Sequence, residues 1–223
     1  MAANIRASST LPSSGAGPLR RRANHPPPAR SGPDMNHFLA LRLADDPRDR
    51  LAAVAERLQA WQLPAVWVHP DDYHLTVAFL GALDADEARY LPHSIASVAG
   101  SLRRPQLRFS GLGASGGRTE PRVVYTALDD PEQACAGIHR DLCECLGVEP
   151  ERQFMPHVTL CRPRSATPRE AGAAGGRGWP QLLAAHGLAD WGACATTDLV
   201  LYQTRPERGT RYQEVERWPL IAA

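Results

Sequence analysis

Two stretches of this chain run through the same order of elements at nearly the same length, and each ends in His-x-Thr. The first opens with a predicted strand over residues 38–43. Pro47 then starts an amphipathic helix in which Leu51, Val54, Ala55 and Leu58 recur at helical spacing. Residues 67–80 follow and are strand-like at their distal end, with Tyr73-His74-Leu75-Thr76-Val77-Ala78-Phe79-Leu80 as the core and Gly81 as the stop. The second stretch has a β-branched and aromatic strand over 122–128. A helix runs from Asp130 and Pro131 through Leu146, with Cys135, Ile138, Leu142 and Cys145 facing one way and Gly147 ending it. Its closing strand is His157-Val158-Thr159-Leu160-Cys161. Met35 to His74 is 39 residues and Pro121 to His157 is 36, so the two units read as an internal duplication.

Between the units, Asp84 has the position of an N-cap for a helix over 85–99, and residues 107–109 begin a short strand. Beyond them the pattern predicts a Gly-rich loop at 172–178, a short helix near 179–187, and strands near 199–203 and 212–216 joined by a turn at 206–210.

Side chains alternate across a strand, so His74 and Thr76 share one face, as do His157 and Thr159. Leu75, Val77, Val158 and Leu160 then face the core. If the two units pack about a pseudo-twofold axis, both imidazoles and both hydroxyls converge on one cleft. Such a cleft suits a tetrahedral anion, with two nitrogens that trade a proton and two hydroxyls that donate to non-bridging oxygens. An imidazole titrates at about 6.5 when unperturbed, so one ring can act as general base while the other acts as general acid.

Other features read more plainly. Phe79 and Phe154 are expected in the core, and His37, His69, His93, His139 and His186 have structural or surface roles. Gly111-x-Gly113-x-x-Gly116 matches the dinucleotide fingerprint in letters only, because Gly117 and Pro121 lead into another strand where that motif needs a helix. Cys135, His139 and Cys143 recur at four-residue steps, yet no fourth tetrahedral ligand is identifiable, so no metal is expected. His25-Pro26-Pro27-Pro28 reads as solvated tail.

Composition sets the boundaries. The chain has 223 residues and 25 basic ones, all arginine. Residues 1–34 carry five of these arginines against Asp34, together with six of the 20 prolines and few bulky apolar side chains. That segment is expected to be disordered, leaving 35–223 as one two-lobed unit. The formal charge of +1 becomes a surplus of four in the first 34 residues and −3 in the remainder, which argues against a general polycation for duplex nucleic acid. No run approaches the ~20 apolar residues that span a bilayer, and no apolar stretch follows Arg20, Arg21 and Arg22 as in a secretory signal. Five cysteines fit a reducing cytoplasm better than a disulfide framework.

The segments 73–81, YHLTVAFLG, and 154–162, FMPHVTLCR, resemble the two signatures of the two-histidine phosphoesterases. Within that superfamily the chain most resembles the RNA 2′,3′-cyclic phosphodiesterases historically called 2′-5′ RNA ligases. The likeness extends to FLALRL near residue 38, Trp67-Val68-His69-Pro70, the strand at 122–128, Leu201-Tyr202, Gly209-Thr210-Arg211-Tyr212 and Pro219-Leu220. It implies a bilobal α+β fold, with two pseudo-symmetric lobes of mainly antiparallel sheet lining a central cleft and helices outside. It also implies metal-free hydrolysis, without cofactor, of an RNA 2′,3′-cyclic phosphate end to a 2′-phosphate by a cytoplasmic monomer with no membrane partner. His74 would be the proton donor and His157 the proton acceptor. Thr76 and Thr159 would hold the phosphate, and Arg162 would add charge to the transition state. The alternatives are 2′-5′ joining of RNA ends, hydrolysis of another nucleotide 2′-phosphodiester, and a non-catalytic RNA-end binding protein. One departure is Asn36, two residues before the first-strand Phe, where family members often carry an arginine.

Overall fold

A computed structural model describes residues 21–22, 35–165, 167, 178–205 and 210–222. The expected disorder of 1–34 falls outside the described residues except at Arg21–Arg22. Most of the predicted Gly-rich loop and residues 206–209 of the predicted turn also lie outside them.

The strands are β1 (Arg21–Arg22), β2 (Asn36–Leu43), β3 (Ala65–Trp67), β4 (His74–Ala82), β5 (Arg108–Ser115), β6 (Val123–Asp129), β7 (Val148–Glu149), β8 (His157–Pro163), β9 (Asp190–Ala193), β10 (Thr196–Thr204) and β11 (Tyr212–Pro219). Helices α1 (Asp45–Gln59), α2 (Ala85–Ala99), α3 (Ala134–Leu146) and α4 (Trp179–His186) pack around them, and a 3₁₀ turn covers Pro70–Asp72. β1 pairs in parallel with β7. The other described strands form one open sheet in the order β11-β10-β2-β4-β8-β6-β5-β9, with β3 paired to β8.

This is an antiparallel α+β architecture in two halves. One half is β11-β10-β2-β4 and the other is β8-β6-β5-β9, and they meet where β4 and β8 share the pair Leu75↔Val158. The duplication is visible in the register, since β4 lies beside β2 and β8 beside β6 at equivalent positions. β3 breaks the symmetry. It leaves the first half and adds to β8 in the second, pairing Val66 with Arg162 and Trp67 with Cys161.

Each helix buries the face its periodicity dictates. α1 buries Pro47, Leu51, Val54, Ala55 and Leu58, with Asp45 and Asp46 in its first turn and Arg57 in its last, as the helix dipole favours. α2 opens on a capping box in which the Asp84 carboxylate accepts from Glu87 N–H at 2.8 Å and the Glu87 carboxylate accepts from Asp84 N–H at 3.0 Å. α3 starts four residues later than expected. The Asp130 carboxylate reaches forward to accept from the amides of Ala134 and Cys135, both at 2.9 Å. At its other end Gly147 takes φ 64°, which a side chain would strain. The buried stripe of α3 is Cys135, Ile138, His139, Leu142, Cys143 and Leu146; Cys145 is only part-buried, so Cys143 rather than Cys145 completes the inner face.

These faces join Leu75, Val77, Val158 and Leu160 in one cluster of buried residues that spans both halves. Phe79 departs from expectation: it is 50% exposed beside Phe38, not in the core. Gly111 and Gly113 lie inside β5. Among the described residues no helix is long and apolar enough to cross a membrane.

Candidate active site

The seam between the halves builds the site. Leu75 and Val158, both fully buried, point into the core, so their neighbours along each strand point to the opposite face. Continuing that antiparallel register by one residue sets His74 across from Thr159, and Thr76 across from His157. Directly opposed residues in such a pair are about 5 Å apart at Cβ. All four are part-buried, as befits the wall of an open cleft.

The two imidazoles are held in the same way. His74 Nδ1–H donates to the Asp72 carbonyl at 2.7 Å, and His157 Nδ1–H donates to the Met155 carbonyl at 2.9 Å. In each case the acceptor is two residues upstream. This bond fixes the tautomer and leaves Nε2 as the nitrogen available for chemistry.

Their surroundings differ. His74 is boxed by Phe38 (ring centroids 4.9 Å), Tyr212 (5.0 Å, edge-on) and Tyr202 (5.8 Å). Burial among these rings pushes its pKa down to about 4; the Asp72 carbonyl opposes the shift, while the charges of His157 and Arg162 add to it. His157 has the Tyr125 ring at 4.9 Å. That ring lies against Gly113 on the next strand, where any Cβ would fall 2.4 Å from it, so β5 must be bare at this point. Thus two unlike environments flank two like histidines.

Arg162 is exposed at the middle of the β3–β8 pairing. With Val66, Trp67, Asp72, Arg211 and Tyr212 it lines a cavity of about 420 Å³ next to His74. Strand alternation alone would turn Arg162 away from the Thr159 face; its charge is nevertheless felt at His74. Sequence reasoning missed Phe38, Tyr125, Tyr202 and Tyr212. Their signal is faint, an aromatic at a cleft-facing position of a strand, and becomes legible only once strand neighbours are known.

His139 is structural, as expected, yet it contacts the site at one remove. Fully enclosed, it donates from Nδ1 to the Val77 carbonyl at 2.7 Å and accepts at Nε2 from Glu151 N–H at 2.9 Å. Its ring stacks on Phe154 at 4.6 Å. It therefore ties β4 to the segment that delivers Met155 and His157. Among the described residues no group of three or more His, Cys, Asp and Glu is disposed to hold a metal ion.

Comparison with known proteins gives this geometry a context. A family model described as LigT like Phosphoesterase matches residues 41–125. The RNA 2′,3′-cyclic phosphodiesterase of Escherichia coli (strain K12) is 30% identical over 158 residues, covering 69% of this chain and 78% of the relative. That of Geobacillus stearothermophilus is 28% identical over 193 residues, covering 84% of this chain and 58% of the relative. That of Bacillus subtilis (strain 168) is 33% identical over 102 residues, covering 43% of this chain and 54% of the relative. The chain thus spans between half and two thirds of the length of the last two. Among solved structures, a Thermus thermophilus protein superposes with a TM-score of 0.63 at 19% identity, covering 84% of this chain and 99% of that one. Escherichia coli LigT in complex with 3′-AMP gives 0.59 at 24% identity, covering 84% and 98%. With the E. coli relative 30% identical and matched over 78% of its length, the chain belongs to the LigT-like phosphoesterases.

Proposed function

We propose that this protein hydrolyses the 2′,3′-cyclic phosphate end of RNA to a 2′-phosphomonoester without a metal ion, within a reducing cytoplasm. The observation that carries the reading is the matched pair of histidines, each pinned through Nδ1 to the carbonyl two residues upstream, at the junction of the two halves. Names of relatives as RNA 2′,3′-cyclic phosphodiesterases support it.

In this reading His157 Nε2 takes a proton from a water molecule, whose oxygen attacks phosphorus. The bond from phosphorus to O3′ breaks, and His74 Nε2–H delivers a proton to the departing O3′. The product is a 2′-phosphate with a free 3′-hydroxyl. Proton exchange with solvent then resets both rings. Thr76 and Thr159 donate to the non-bridging oxygens, and Arg162 offsets charge that grows on them. In the free protein the low pKa of His74 leaves that ring neutral near pH 7. A bound phosphodiester anion favours the imidazolium, so substrate itself charges the acid.

The test is incubation of the full chain with an oligonucleotide ending in a 2′,3′-cyclic phosphate, in EDTA, with the products resolved. The expected product is the 2′-phosphate. Failure to hydrolyse, or full activity in both His74→Ala and His157→Ala, overturns the reading.

A further inference from the structure

A 2′,3′-cyclic phosphate can only sit at the 3′ end of a chain, so every further part of an RNA substrate leaves the reacting nucleotide through its O5′. The cavity beside His74 has the chemistry to receive it. It shares Tyr212 with the wall of the His74 pocket, and it is lined by Asp72, the residue whose carbonyl holds His74 Nδ1.

Its charge is more positive than its residue count implies. Arg162 and Arg211 contribute two guanidinium groups. Among the described lining residues the acid is Asp72, which is 5% exposed and turned to the backbone, accepting from Arg211 N–H at 2.8 Å. That bond secures the entry to β11, and it carries Arg211 and Tyr212 to the cavity. Beside Arg162, which pairs with Val66 across the strands, β3 supplies apolar and aromatic surface. Val66 is 56% exposed despite its strand position, and Trp67 lies part-buried beside it. Paired arginines with an indole and a phenol match a phosphodiester with its attached nucleoside, since guanidinium groups take phosphate oxygens and rings stack on bases. At about 420 Å³ the cavity is large enough for one nucleoside unit and too small for a duplex.

We infer that this cavity binds the penultimate nucleotide of a single-stranded RNA end, with Arg211 on its phosphodiester and Trp67 and Tyr212 against its base. The inference rests on the cyclic phosphodiesterase reading and narrows it: the preferred substrate is an oligonucleotide and not a nucleoside cyclic phosphate. The break in symmetry has a purpose in this view, because β3 crosses to β8 and brings Val66 and Trp67 to the cavity beside Arg162.

The experiment compares a dinucleotide with a 2′,3′-cyclic end against the matching nucleoside 2′,3′-cyclic phosphate. For the unaltered protein kcat/KM is expected to favour the dinucleotide, by a margin that shrinks as salt rises. In Arg211→Gln the ratio of the two kcat/KM values is expected to fall about tenfold, the loss of one charged hydrogen bond. Trp67→Phe, which keeps a ring, is expected to lower the ratio less than Trp67→Ala. A ratio that stays within about twofold in Arg211→Gln, or equal losses on both substrates, overturns the inference. Binding separates its failure from that of the parent reading. If neither substrate is hydrolysed, calorimetry with a 2′-phosphorylated dinucleotide and a nucleoside 2′-phosphate still decides it. Tighter binding of the dinucleotide that Arg211→Gln abolishes supports the cavity, and equal affinities reject it.

Discussion

Each imidazole at the seam uses Nδ1 for orientation, and this leaves Nε2 as its only reactive atom. Removing either ring should therefore lower kcat about 10²- to 10⁴-fold, and the double variant should lose less than the product of the two, because the rings act as one unit. Steady-state rates of the three variants check this. The pH profile distinguishes the rings. His74 is the proton donor and has its pKa at about 4 in the free protein, so kcat/KM should fall as pH rises above about 4, whereas the alkaline limb of kcat should lie higher because a bound anion favours the imidazolium. Coincident limbs would remove substrate-assisted charging from the mechanism. The same depression bears on stability. His74 and His37 both have pKa values lowered by burial, so the unfolded chain binds more protons than the folded one below the ordinary imidazole range. Their contribution is complete above about pH 6.5 and fades as pH falls, for His74 down to about pH 4. Thermal melts should show Tm falling across that window, and His74→Phe should flatten the fall.

At the scale of elements, local chemistry places some boundaries and long-range pairing places others. The capping box at Asp84 and Glu87 makes α2 readable from sequence to its first residue, and the exchange of hydrogen bonds there is local. Asp84→Ala should cost about 1 kcal/mol in denaturant melts and leave turnover unchanged. The start of α3 is hidden from sequence because Asp130 caps from a distance of four residues, through a residue, Gln133, in the left-handed region. β3, β7 and β9 are four residues or fewer, below the length at which alternation carries a signal, and each exists because a partner strand completes it. α3 acts on the site through His139. His139→Phe would keep the stack on Phe154 but leave the Val77 carbonyl and the Glu151 amide unpaired, at about 2 to 4 kcal/mol. It should also lower kcat more than it changes KM, since the approach to His157 loosens. Stability lost with kcat intact would assign His139 to folding alone.

In the molecule as a whole, the proposed catalysis by two histidines depends on a narrow join. β4 and β8 pair only at Leu75 and Val158, and further contact between the halves comes from β3 on β8, from the shared core and from Arg50 of α1, which donates to the Ala193 carbonyl of β9. Val158→Ala, which removes two buried carbon atoms at that point, should destabilise by about 2 kcal/mol and reduce kcat beyond what its distance from the chemistry implies, because the two imidazoles are positioned relative to each other through it. Chemical denaturation and steady-state kinetics on one preparation measure both. The duplication, the strand that bears each His-x-Thr, and the faces on which His74, Thr76, His157 and Thr159 lie are all legible along the chain. These follow from periodicities of 2 and 3.6 residues, which are properties of neighbouring residues along the chain. Only the tertiary structure decided that the halves join at one pair, that β3 crosses between them, that Phe79 is exposed, and that Phe38, Tyr202 and Tyr212 enclose one histidine while Tyr125 flanks the other. Those outcomes depend on which strands become neighbours, and that choice is set by the burial of a common core, which no local pattern records.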